Sequence, residues 1–340
     1  MSSDRQRDGG EFRVALLDDY QGVGLELADW ASLGPRVAVE AFRDHVRDEA
    51  ALLRRLAPFD AIVAMRERTP FPERTLAGLR RLRLLVTTGM RNASIDVEAA
   101  TRLGIVVAGT DGLAPPTVEL TWALILAVVR RIPQEDRATR AGRWQTSLGS
   151  GLHGKTLGVI GLGRLGSQVA AIGRAFGMRL LGWSQNLTPE RAAECGAARV
   201  TKEALLERAD VVTIHLQLSP RTRGLIGAAD FARMKPTAYL VNTSRGPIVD
   251  EAALLEVLRA GKIAGAALDV YGEEPLPAEH PFLELDNLVL SPHLGYVTFE
   301  NYVVFYQGAC EDVAALLRGA PERVLNPAVL TSPRLRRFST

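Results

Sequence analysis

The chain of 340 residues predicts an α/β fold with two doubly wound domains, each built on a parallel sheet. Short apolar runs alternate with helical spacings of apolar residues along both halves, a pattern typical of parallel sheets covered by helices. The alternation stops at Gly112-Leu113-Ala114-Pro115-Pro116 and resumes after residue 155, where a glycine-rich motif opens the second series. This length corresponds to about two domains of ordinary size, so we divide the chain near the break.

The first half contains five apolar runs that are predicted strands, at residues 13–17, 37–42, 61–65, 84–87 and 105–108. Helices are predicted between them, at residues 49–56, 72–79 and 97–103. A longer helix is predicted from Thr117 to Arg131, after two prolines that can begin a helix. Most of its surface is apolar, so we expect it to be buried inside the protein or at a subunit interface.

The second half contains seven predicted strands, at residues 157–160, 179–183, 198–200, 211–214, 238–242, 265–270 and 288–290, and a last helix at residues 301–317. No dinucleotide motif occurs before residue 161. We therefore assign residues 113–295 to an inserted nucleotide domain. Residues 1–112 and 296–340 would form an outer, flavodoxin-like substrate domain. Two domains in simple series are the alternative, and the last helix does not decide between them.

Composition and charge narrow the classes of function. With 47% hydrophobic and 24% charged residues, the chain is typical of a globular soluble protein. Its formal net charge of +2 and its scattered arginines argue against a nucleic-acid partner. The longest apolar run, residues 122–129, is far shorter than the ~20 residues that span a bilayer, so we expect no membrane association.

The cysteines and the N-terminus indicate a compartment. Cys195 and Cys310 stand in no C-x-x-C pattern, and residues 1–10 lack the apolar core of a signal peptide. We expect a cytoplasmic protein with reduced thiols and a tail without regular structure at residues 1–10. No spacing of cysteine, histidine or glutamate predicts a metal site.

The segment Gly161-Leu162-Gly163-Arg164-Leu165-Gly166 has the context of a dinucleotide-binding turn. A predicted strand leads in, and a predicted helix, about residues 165–176, leads out. Gly161 permits the tight turn, Gly163 lets the backbone approach a pyrophosphate, and Gly166 allows close packing of helix and strand. The phosphates would lie at the helix N-terminus, where free N–H groups favour anions. The motif therefore indicates a Rossmann-type domain that binds NAD(P).

The residue after the second strand of this domain bears on the choice of cofactor. An NAD-preferring site usually has a carboxylate there, to bind the ribose hydroxyls. This chain has Ser184, followed by a glutamine and an asparagine. Arg164 and Arg191 are the nearest basic candidates for a 2′-phosphate. We therefore predict tolerance of NADPH or a modest preference for it.

Three ionisable residues, Arg245, Glu274 and His293, each follow a predicted strand of the second series. Ligands of open α/β sheets bind outside the carboxyl ends of the strands, so we expect all three around one bound dinucleotide. The Arg245 guanidinium can hold a carboxylate through two parallel hydrogen bonds. His293 can exchange a proton with a carbonyl oxygen near neutral pH. A carboxylate would hold the imidazole tautomer, and the residues alone leave Glu273 and Glu274 as rivals for that role.

Two other residues end strands near the expected dinucleotide. Asp269 could hold the nicotinamide carboxamide. His215 is expected to be a wall residue near the cofactor and not the acid.

The chain resembles the D-isomer-specific 2-hydroxyacid dehydrogenases over nearly its whole length. The matching segments follow the family's order and spacing: residues 158–166, 241–246, 267–270 with Glu274-Pro275, and 291–295. The resemblance implies two Rossmann-like domains with the active site in the interdomain cleft. It also implies a homodimer, with the apolar helix near Thr117 in the dimer region, and is strongest to the glyoxylate/hydroxypyruvate reductase-like branch.

The resemblance implies roles for individual residues. Arg245 would bind the substrate carboxylate and ketone, and His293 would be the acid/base. Glu274, not Glu273, would be the orienting carboxylate. The other implied cofactor contacts are Arg164 and Leu165 at the pyrophosphate and Thr243, Asp269 and Gly295 at the nicotinamide.

Three positions depart from the family pattern. Ser184 replaces the usual acidic ribose ligand, and Gln217 stands where many members have proline. The loop at residues 87–96 corresponds to the family's substrate-carboxylate loop, which often has a small residue followed by Val-Gly. Here Gly89 is followed by Met90 and Arg91. Arg91 either binds a second anionic group of the substrate or points to solvent, and the sequence leaves both open.

The sequence therefore predicts an oxidoreductase that transfers a hydride between NAD(P)H and a 2-keto or D-2-hydroxy acid. The alternative is a dinucleotide-sensing regulatory protein, because some relatives act as corepressors on the same fold. The compact size and the lack of low-complexity tails count against it. The R group of the substrate is not determined by these patterns.

Overall fold

A computed structural model describes residues 11–337 of the chain. The strands are β1 (Phe12–Leu16), β2 (Val37–Ala41), β3 (Ala61–Ala64), β4 (Leu84–Thr87), β5 (Val106–Gly109), β6 (Thr156–Ile160), β7 (Arg179–Trp183), β8 (Ala198–Arg199), β9 (Val211–Ile214), β10 (Tyr239–Asn242), β11 (Gly265–Leu268) and β12 (Leu288–Leu290). The tail expected at residues 1–10 lies outside the described residues.

The helices lie between these strands and after them. They are α1 (Glu49–Leu56), α2 (Glu73–Gly78), α3 (Val97–Arg102), α4 (Pro115–Val129), α5 (Ile132–Arg140), α6 (Arg164–Ala175), α7 (Pro189–Glu194), α8 (Lys202–Arg208), α9 (Ala228–Phe231), α10 (Glu251–Arg259) and α11 (Phe299–Leu317). Among the described residues, no helix combines the length and apolarity that a membrane-spanning segment needs.

The chain divides into two compact units. The first contains the described residues up to Leu113 and from Thr298 onward, and the second contains Ala114–Val297. The second unit is therefore inserted into the first. The assignment of residues 113–295 to a nucleotide domain, with residues 1–112 and 296–340 as the substrate domain, stays a prediction.

The first unit is built on a five-stranded parallel sheet in the order β2-β1-β3-β4-β5. The strands β3, β4 and β5 are buried along their whole length, as expected for short apolar strands covered on both faces. Helix α11 follows the second unit in the sequence but belongs to the first unit, where it packs against β4 and β5.

The second unit is built on a seven-stranded parallel sheet in the order β12-β11-β10-β9-β6-β7-β8. The chain starts at β6, moves outward to β8, and then returns to β9 on the other side of β6. The strand order therefore reverses between β6 and β9, which is where ligands bind in sheets of this kind. The predicted fold class, two doubly wound units with parallel sheets, is confirmed.

The long helix predicted to end at Arg131 ends earlier. Helix α4 stops at Val129, and Arg131 has a left-handed backbone with φ of 55°. Pro133 explains the break, because it lacks an N–H and its ring would collide with the C=O of Val129 in a continuous helix. The unpredicted helix α5 starts afresh after this kink. The helices α7 to α10 were not predicted individually. Helix α10, with nine residues, is longer than the predicted α1, with eight, so its apolar spacing was available in the sequence.

Leu325 and Asn326, which follow α11, cover the edge of β5 that no strand pairs with in the described sheet. Leu325 N–H donates to the C=O of Val107 at 2.7 Å. The buried Asn326 side chain accepts from the N–H of Val107 at 2.9 Å and donates to the C=O of Ile105 at 2.9 Å. These bonds satisfy main-chain groups that would otherwise stay open at a sheet edge.

Replacing Asn326 by alanine should lower the free energy of unfolding by about 2–4 kcal/mol, because an N–H and a C=O lose their buried partner. The urea midpoint followed by circular dichroism measures the change. Glu322→Ala is the control, since its ion pair with Arg318 is exposed and 3.6 Å long. It should change the midpoint little. An Asn326→Ala variant with the midpoint of the control would contradict this account of the edge.

Candidate active site

The glycine motif lies at the reversal of the sheet. Gly161 follows β6 with φ of 101°, a conformation that side chains rarely adopt. A Cβ on Gly166 would lie 2.0 Å from the C=O oxygen of Gly161, so helix α6 can approach the strand only without a side chain there. A Cβ on Gly163 would meet open space.

The start of α6 fits a pyrophosphate. Among residues 11–337, no side chain caps this helix, which begins with Arg164 and Leu165. Its first N–H groups and its dipole therefore face the open space above Gly163, an arrangement that favours anions. The residues present fit the group that the motif predicts.

The adenosine end of the site has no carboxylate directly after β7, where Ser184 stands. Arg164 and Arg191 were the two basic candidates for binding a 2′-phosphate, and Arg191 already has partners within the protein. Its Nε donates to the C=O of Leu162 at 3.2 Å, and its guanidinium pairs with Glu194 at 3.1 Å. Arg164 is exposed at the start of α6.

The three ionisable residues follow neighbouring strands. Asn242 of β10 pairs with Leu268 of β11, which in turn pairs with Leu290 of β12. Arg245, Glu274 and His293 come after these strands in that order. The register of the sheet thus brings all three to one stretch of its carboxyl edge.

His293 and Glu274 form a direct pair. Nδ1 of His293 lies 2.5 Å from a carboxylate oxygen of Glu274. The other carboxylate oxygen accepts from the N–H of Tyr271 at 2.9 Å, which holds Glu274 in place. A carboxylate only accepts, so the imidazole carries its proton on Nδ1 and leaves Nε2 for a ligand. The structure pairs the histidine with Glu274 and not with Glu273.

Asp269 holds the segment that carries His293. Its buried carboxylate accepts from the hydroxyl of Ser291 at 2.6 Å, the N–H of Leu294 at 2.7 Å and the N–H of Gly295 at 2.9 Å. His293 itself has a left-handed backbone with φ of 55°. Burial raises the pKa of the Asp269 carboxyl, although the three donors favour its charged form.

Arg245 lies in a loop that is held by hydrogen bonds among its own residues. The Asn242 side chain donates to the C=O of Arg245 at 3.0 Å and accepts from the N–H of Ser244 at 3.0 Å. A guanidinium nitrogen of Arg245 donates to the C=O of Ser244 at 2.7 Å. A Cβ on Gly246 would lie 2.0 Å from the backbone of Tyr271. Glycine there lets the Arg245 loop touch the loop that carries Glu274.

His215 follows β9 and is not suited to proton transfer. Its Nε2 lies 2.9 Å from the hydroxyl of Thr213. Burial lowers the pKa of His215 to about 4, so the ring is neutral at pH 7. The backbone of His215 lies beside Gly161, since a Cβ on Gly161 would lie 2.6 Å from the His215 carbonyl oxygen. The role of His215 as a wall residue near the cofactor stays a prediction.

The predicted substrate loop belongs to the first unit, directly after β4. Gly89 has φ of 96°, and its N–H donates to the hydroxyl of Thr110 at 2.9 Å. Met90 and Arg91 are exposed. The structure adds a residue that the sequence did not indicate: Arg66, whose guanidinium lies over Gly89 and donates to the C=O of Thr88 at 2.8 Å.

Sequence reasoning also missed Tyr271 and Ser291. The Tyr271 hydroxyl lies 2.8 Å from the C=O of Ser291 and 3.2 Å from its N–H, so it joins the loops after β11 and β12. Burial raises the pKa of Tyr271, so the hydroxyl keeps its proton. The position of the tyrosine midway between Asp269 and Glu274 was the available signal. Residues 11–337 contain no cluster of acidic, cysteine or histidine side chains that could hold a metal.

Comparisons with known proteins show the family of the chain. Residues 122–295 match the family model for the NAD binding domain of D-isomer specific 2-hydroxyacid dehydrogenases. A glyoxylate reductase of Aeropyrum pernix is 45% identical over 261 residues, which cover 74% of this chain and 78% of that protein. A D-3-phosphoglycerate dehydrogenase of Archaeoglobus fulgidus is 40% identical over 80% of this chain, and the match spans 52% of that protein.

Solved structures give the same result for the fold. The crystal structure of a phosphoglycerate oxidoreductase from Vibrio cholerae superposes with a TM-score of 0.86 at 39% identity, covering 91% of this chain and 100% of that one. This structural match, at 91% of the chain, includes residues of both units. The glycine motif, Asp269 and His293 lie within residues 122–295, which match the family model. The chain therefore belongs to the D-isomer specific 2-hydroxyacid dehydrogenases.

Proposed function

We propose that this protein reduces a 2-keto acid to the D-2-hydroxy acid, reversibly, with NAD(P)H as the hydride donor. Membership of the family makes it an NAD-dependent 2-hydroxyacid dehydrogenase, and the specific roles below are proposals. The observation that carries them is the His293–Glu274 pair, at 2.5 Å, on the same sheet edge as Arg245.

His293 acts as the acid in reduction and as the base in oxidation. Its Nδ1 is bonded to Glu274, so Nε2 is the nitrogen that exchanges a proton with the substrate oxygen. A bound nicotinamide dinucleotide supplies the hydride. Glu274 stabilises the imidazolium and keeps the ring from turning. Proton transfer by a positioned side chain of this kind is worth about 10²–10⁴-fold in rate.

Arg245 anchors the substrate. Its fork of N–H donors matches a carboxylate, and donation to the adjacent ketone oxygen polarises the carbonyl. The loop around it is held by Asn242 and by the close approach at Gly246, so the guanidinium has little freedom to move away. Orientation of this kind lowers the entropy cost of reaching the transition state.

The cofactor is held by the glycine motif with Arg164 and Leu165 at the pyrophosphate, and by Thr243, Asp269 and Gly295 at the nicotinamide. His215 lines the wall of the cofactor site near the reversal of the strand order between β6 and β9. NADPH is modestly favoured, because Ser184 presents no carboxylate to repel a 2′-phosphate and the exposed Arg164 is the nearest cation.

The substrate class is a small 2-keto acid, as in glyoxylate/hydroxypyruvate reductases. The similarity to a glyoxylate reductase supports this branch. Gly89, Met90 and Arg91 are proposed to bind the substrate, Gly89 through its backbone and Arg91 through its charge.

We also propose that the protein works as a homodimer in the cytoplasm. Large apolar side chains around and after α5 support an interface between copies, since Ile132 is 54%, Trp144 77% and Leu148 96% exposed. The two cysteines are free, as in a reducing compartment.

The direct test is the decay of nicotinamide absorbance with purified protein. NADH and NADPH are tried separately against a panel of 2-keto acids that includes glyoxylate and hydroxypyruvate. Oxidation with one keto acid supports the reductase and names its substrate. Tight cofactor binding without oxidation across the panel would favour the dinucleotide-sensing regulatory alternative.

His293→Ala should lower kcat by about 10²–10⁴-fold, because the proton donor is lost. NADH binding by calorimetry should stay unchanged. His153→Ala is the matched control, since His153 is an exposed histidine of the same unit. Turnover retained by His293→Ala would defeat the assignment of the acid.

Ser184→Asp should shift cofactor preference from NADPH toward NADH by about tenfold or more, since a carboxylate repels the 2′-phosphate and can bind the ribose hydroxyls. The ratio of kcat/KM values for the two cofactors measures this. Ser184→Asn changes the size of the side chain without adding charge and should leave the ratio near that of the original protein. An unchanged ratio in Ser184→Asp would rule out the role of Ser184.

Arg91→Ala should raise KM about tenfold for dicarboxylic keto acids and leave KM for monocarboxylic ones unchanged, if Arg91 binds a second anionic group. Arg80→Ala removes an exposed arginine of the same unit and serves as control. Unchanged KM values for both substrate types would mean that Arg91 points to solvent.

A further inference from the structure

The hydroxyl of Tyr271 holds the backbone on both sides of Ser291. It lies 2.8 Å from the C=O of Ser291, 3.2 Å from the N–H of Ser291 and 3.2 Å from the C=O of Leu268. A phenol has one proton, and its shortest contact to an acceptor is the one to the Ser291 C=O. The hydroxyl therefore donates to that C=O and accepts from the Ser291 N–H. Tyr271 is only 6% exposed, so these bonds are shielded from water.

The carbonyl that receives this proton also fixes the backbone of His293. The N–H of His293 donates to the C=O of Ser291 at 3.0 Å, which closes a three-residue turn around Pro292. The proline ring restricts the middle of this turn. Directly after it, His293 has a left-handed backbone with φ of 55°. A displacement of the Ser291 carbonyl would therefore rotate the backbone from which the imidazole projects.

The backbone of Tyr271 holds the other member of the pair. Its N–H donates to one carboxylate oxygen of Glu274 at 2.9 Å, and the other oxygen lies 2.5 Å from Nδ1 of His293. The Arg245 loop lies against the same residue, because a Cβ on Gly246 would be 2.1 Å from the carbonyl oxygen of Tyr271. Tyr271 thus contacts the loops of the imidazole, the carboxylate and the guanidinium.

We propose that Tyr271 is a positioning residue for proton transfer. Its hydroxyl fixes the turn that carries His293, and its N–H fixes Glu274, so the imidazole and the carboxylate meet at hydrogen-bond distance before a substrate binds. The proposal rests on the reaction proposed above. It adds a residue that acts through His293 and has no assigned contact with the substrate or the dinucleotide.

A purely structural role for the Tyr271 hydroxyl makes a different prediction. If the hydroxyl only stabilises the fold, its loss should lower the melting temperature and leave kcat of the folded protein unchanged. If it positions His293, its loss should lower kcat. KM for the keto acid and Kd for NADH should then stay unchanged, because Arg245 and the glycine motif are untouched.

The first measurement uses the full chain and needs no substrate. The chain has five histidines, so NMR of protein labelled with a nitrogen isotope at histidine gives few imidazole signals, and His293→Ala identifies the one from His293. The proton on Nδ1 should exchange slowly with water, because its bond to Glu274 must open first. Tyr271→Phe keeps the buried ring, removes the hydroxyl and should speed this exchange about threefold to tenfold, the value of one hydrogen bond.

The second measurement is the rate with the keto acid that the absorbance assay identifies. Tyr271→Phe should lower kcat about threefold to tenfold. In a His293→Ala background the same change should lower the residual rate no further, because no imidazole remains to be positioned. Tyr239→Phe is the matched control, since this hydroxyl of the same unit has a long contact of 3.4 Å to Ser150. It should leave exchange and kcat unchanged, and melting temperatures report the folded state of each variant.

An exchange rate that is unchanged in Tyr271→Phe would overturn the proposal. Faster exchange without a loss of kcat would overturn it too, and so would an equal loss of rate with and without His293, since the hydroxyl would then act on the fold alone. Absence of turnover by the original protein with every keto acid of the panel would instead refute the proposed function. The exchange rate would then decide by itself whether Tyr271 holds the pair.

Discussion

The Asp269 carboxylate lies at the end of β11, fully buried, and accepts three hydrogen bonds from the segment after β12. That segment carries His293 with a left-handed backbone, which costs on the order of 1–3 kcal/mol unless its surroundings hold it there. The N–H groups of Leu294 and Gly295 point at Asp269 only because the chain turns at His293. The direction of the imidazole therefore depends on a carboxylate that does not contact the ring in the hydrogen-bond network of Glu274.

The same edge is tied together from two other directions. The Tyr271 hydroxyl donates to the C=O of Ser291, and the Tyr271 N–H donates to Glu274. Tyr271 therefore connects the segment that carries His293 with the glutamate that contacts it. Gly246 lets the Arg245 loop lie against the backbone of Tyr271. Two of the three loops that follow adjacent strands are thus joined by hydrogen bonds, and the third lies in close contact with them. The reaction proposed for this site would benefit from such rigidity, because it needs a cation and an acid in fixed positions.

Helix α4 completes the arrangement from the side. Its apolar surface packs against the sheet, and its two buried-side hydroxyls contact the Arg245 and His293 loops directly. At the start of α6, where no side chain of residues 11–337 forms a cap, the first N–H groups are available to an anion.

Much of this could be predicted from the sequence. The alternation of apolar runs and helical spacings predicted both parallel sheets, since strands buried on two faces must be short and apolar. The glycine motif predicted the nucleotide unit, and the polar residues after strands predicted Arg245, Asp269 and His293. The helix α9 was missed, because four residues carry too little periodicity. The end of α4 was predicted two residues late, at Arg131 instead of Val129, because the arginines before Pro133 are compatible with the last turn of a helix.

The linear sequence sets the order of the polar residues that follow the strands, and hence which chemical groups the site contains. How these groups meet depends on the tertiary structure. Strand register placed Asn242, Leu268 and Leu290 side by side. The glutamate that contacts His293 is Glu274, whose other carboxylate oxygen accepts from the N–H of Tyr271. The contact between Thr121 and Thr243 joins residues 122 positions apart. No local pattern encodes such a contact, because it depends on how a helix packs against a sheet that the chain has yet to form.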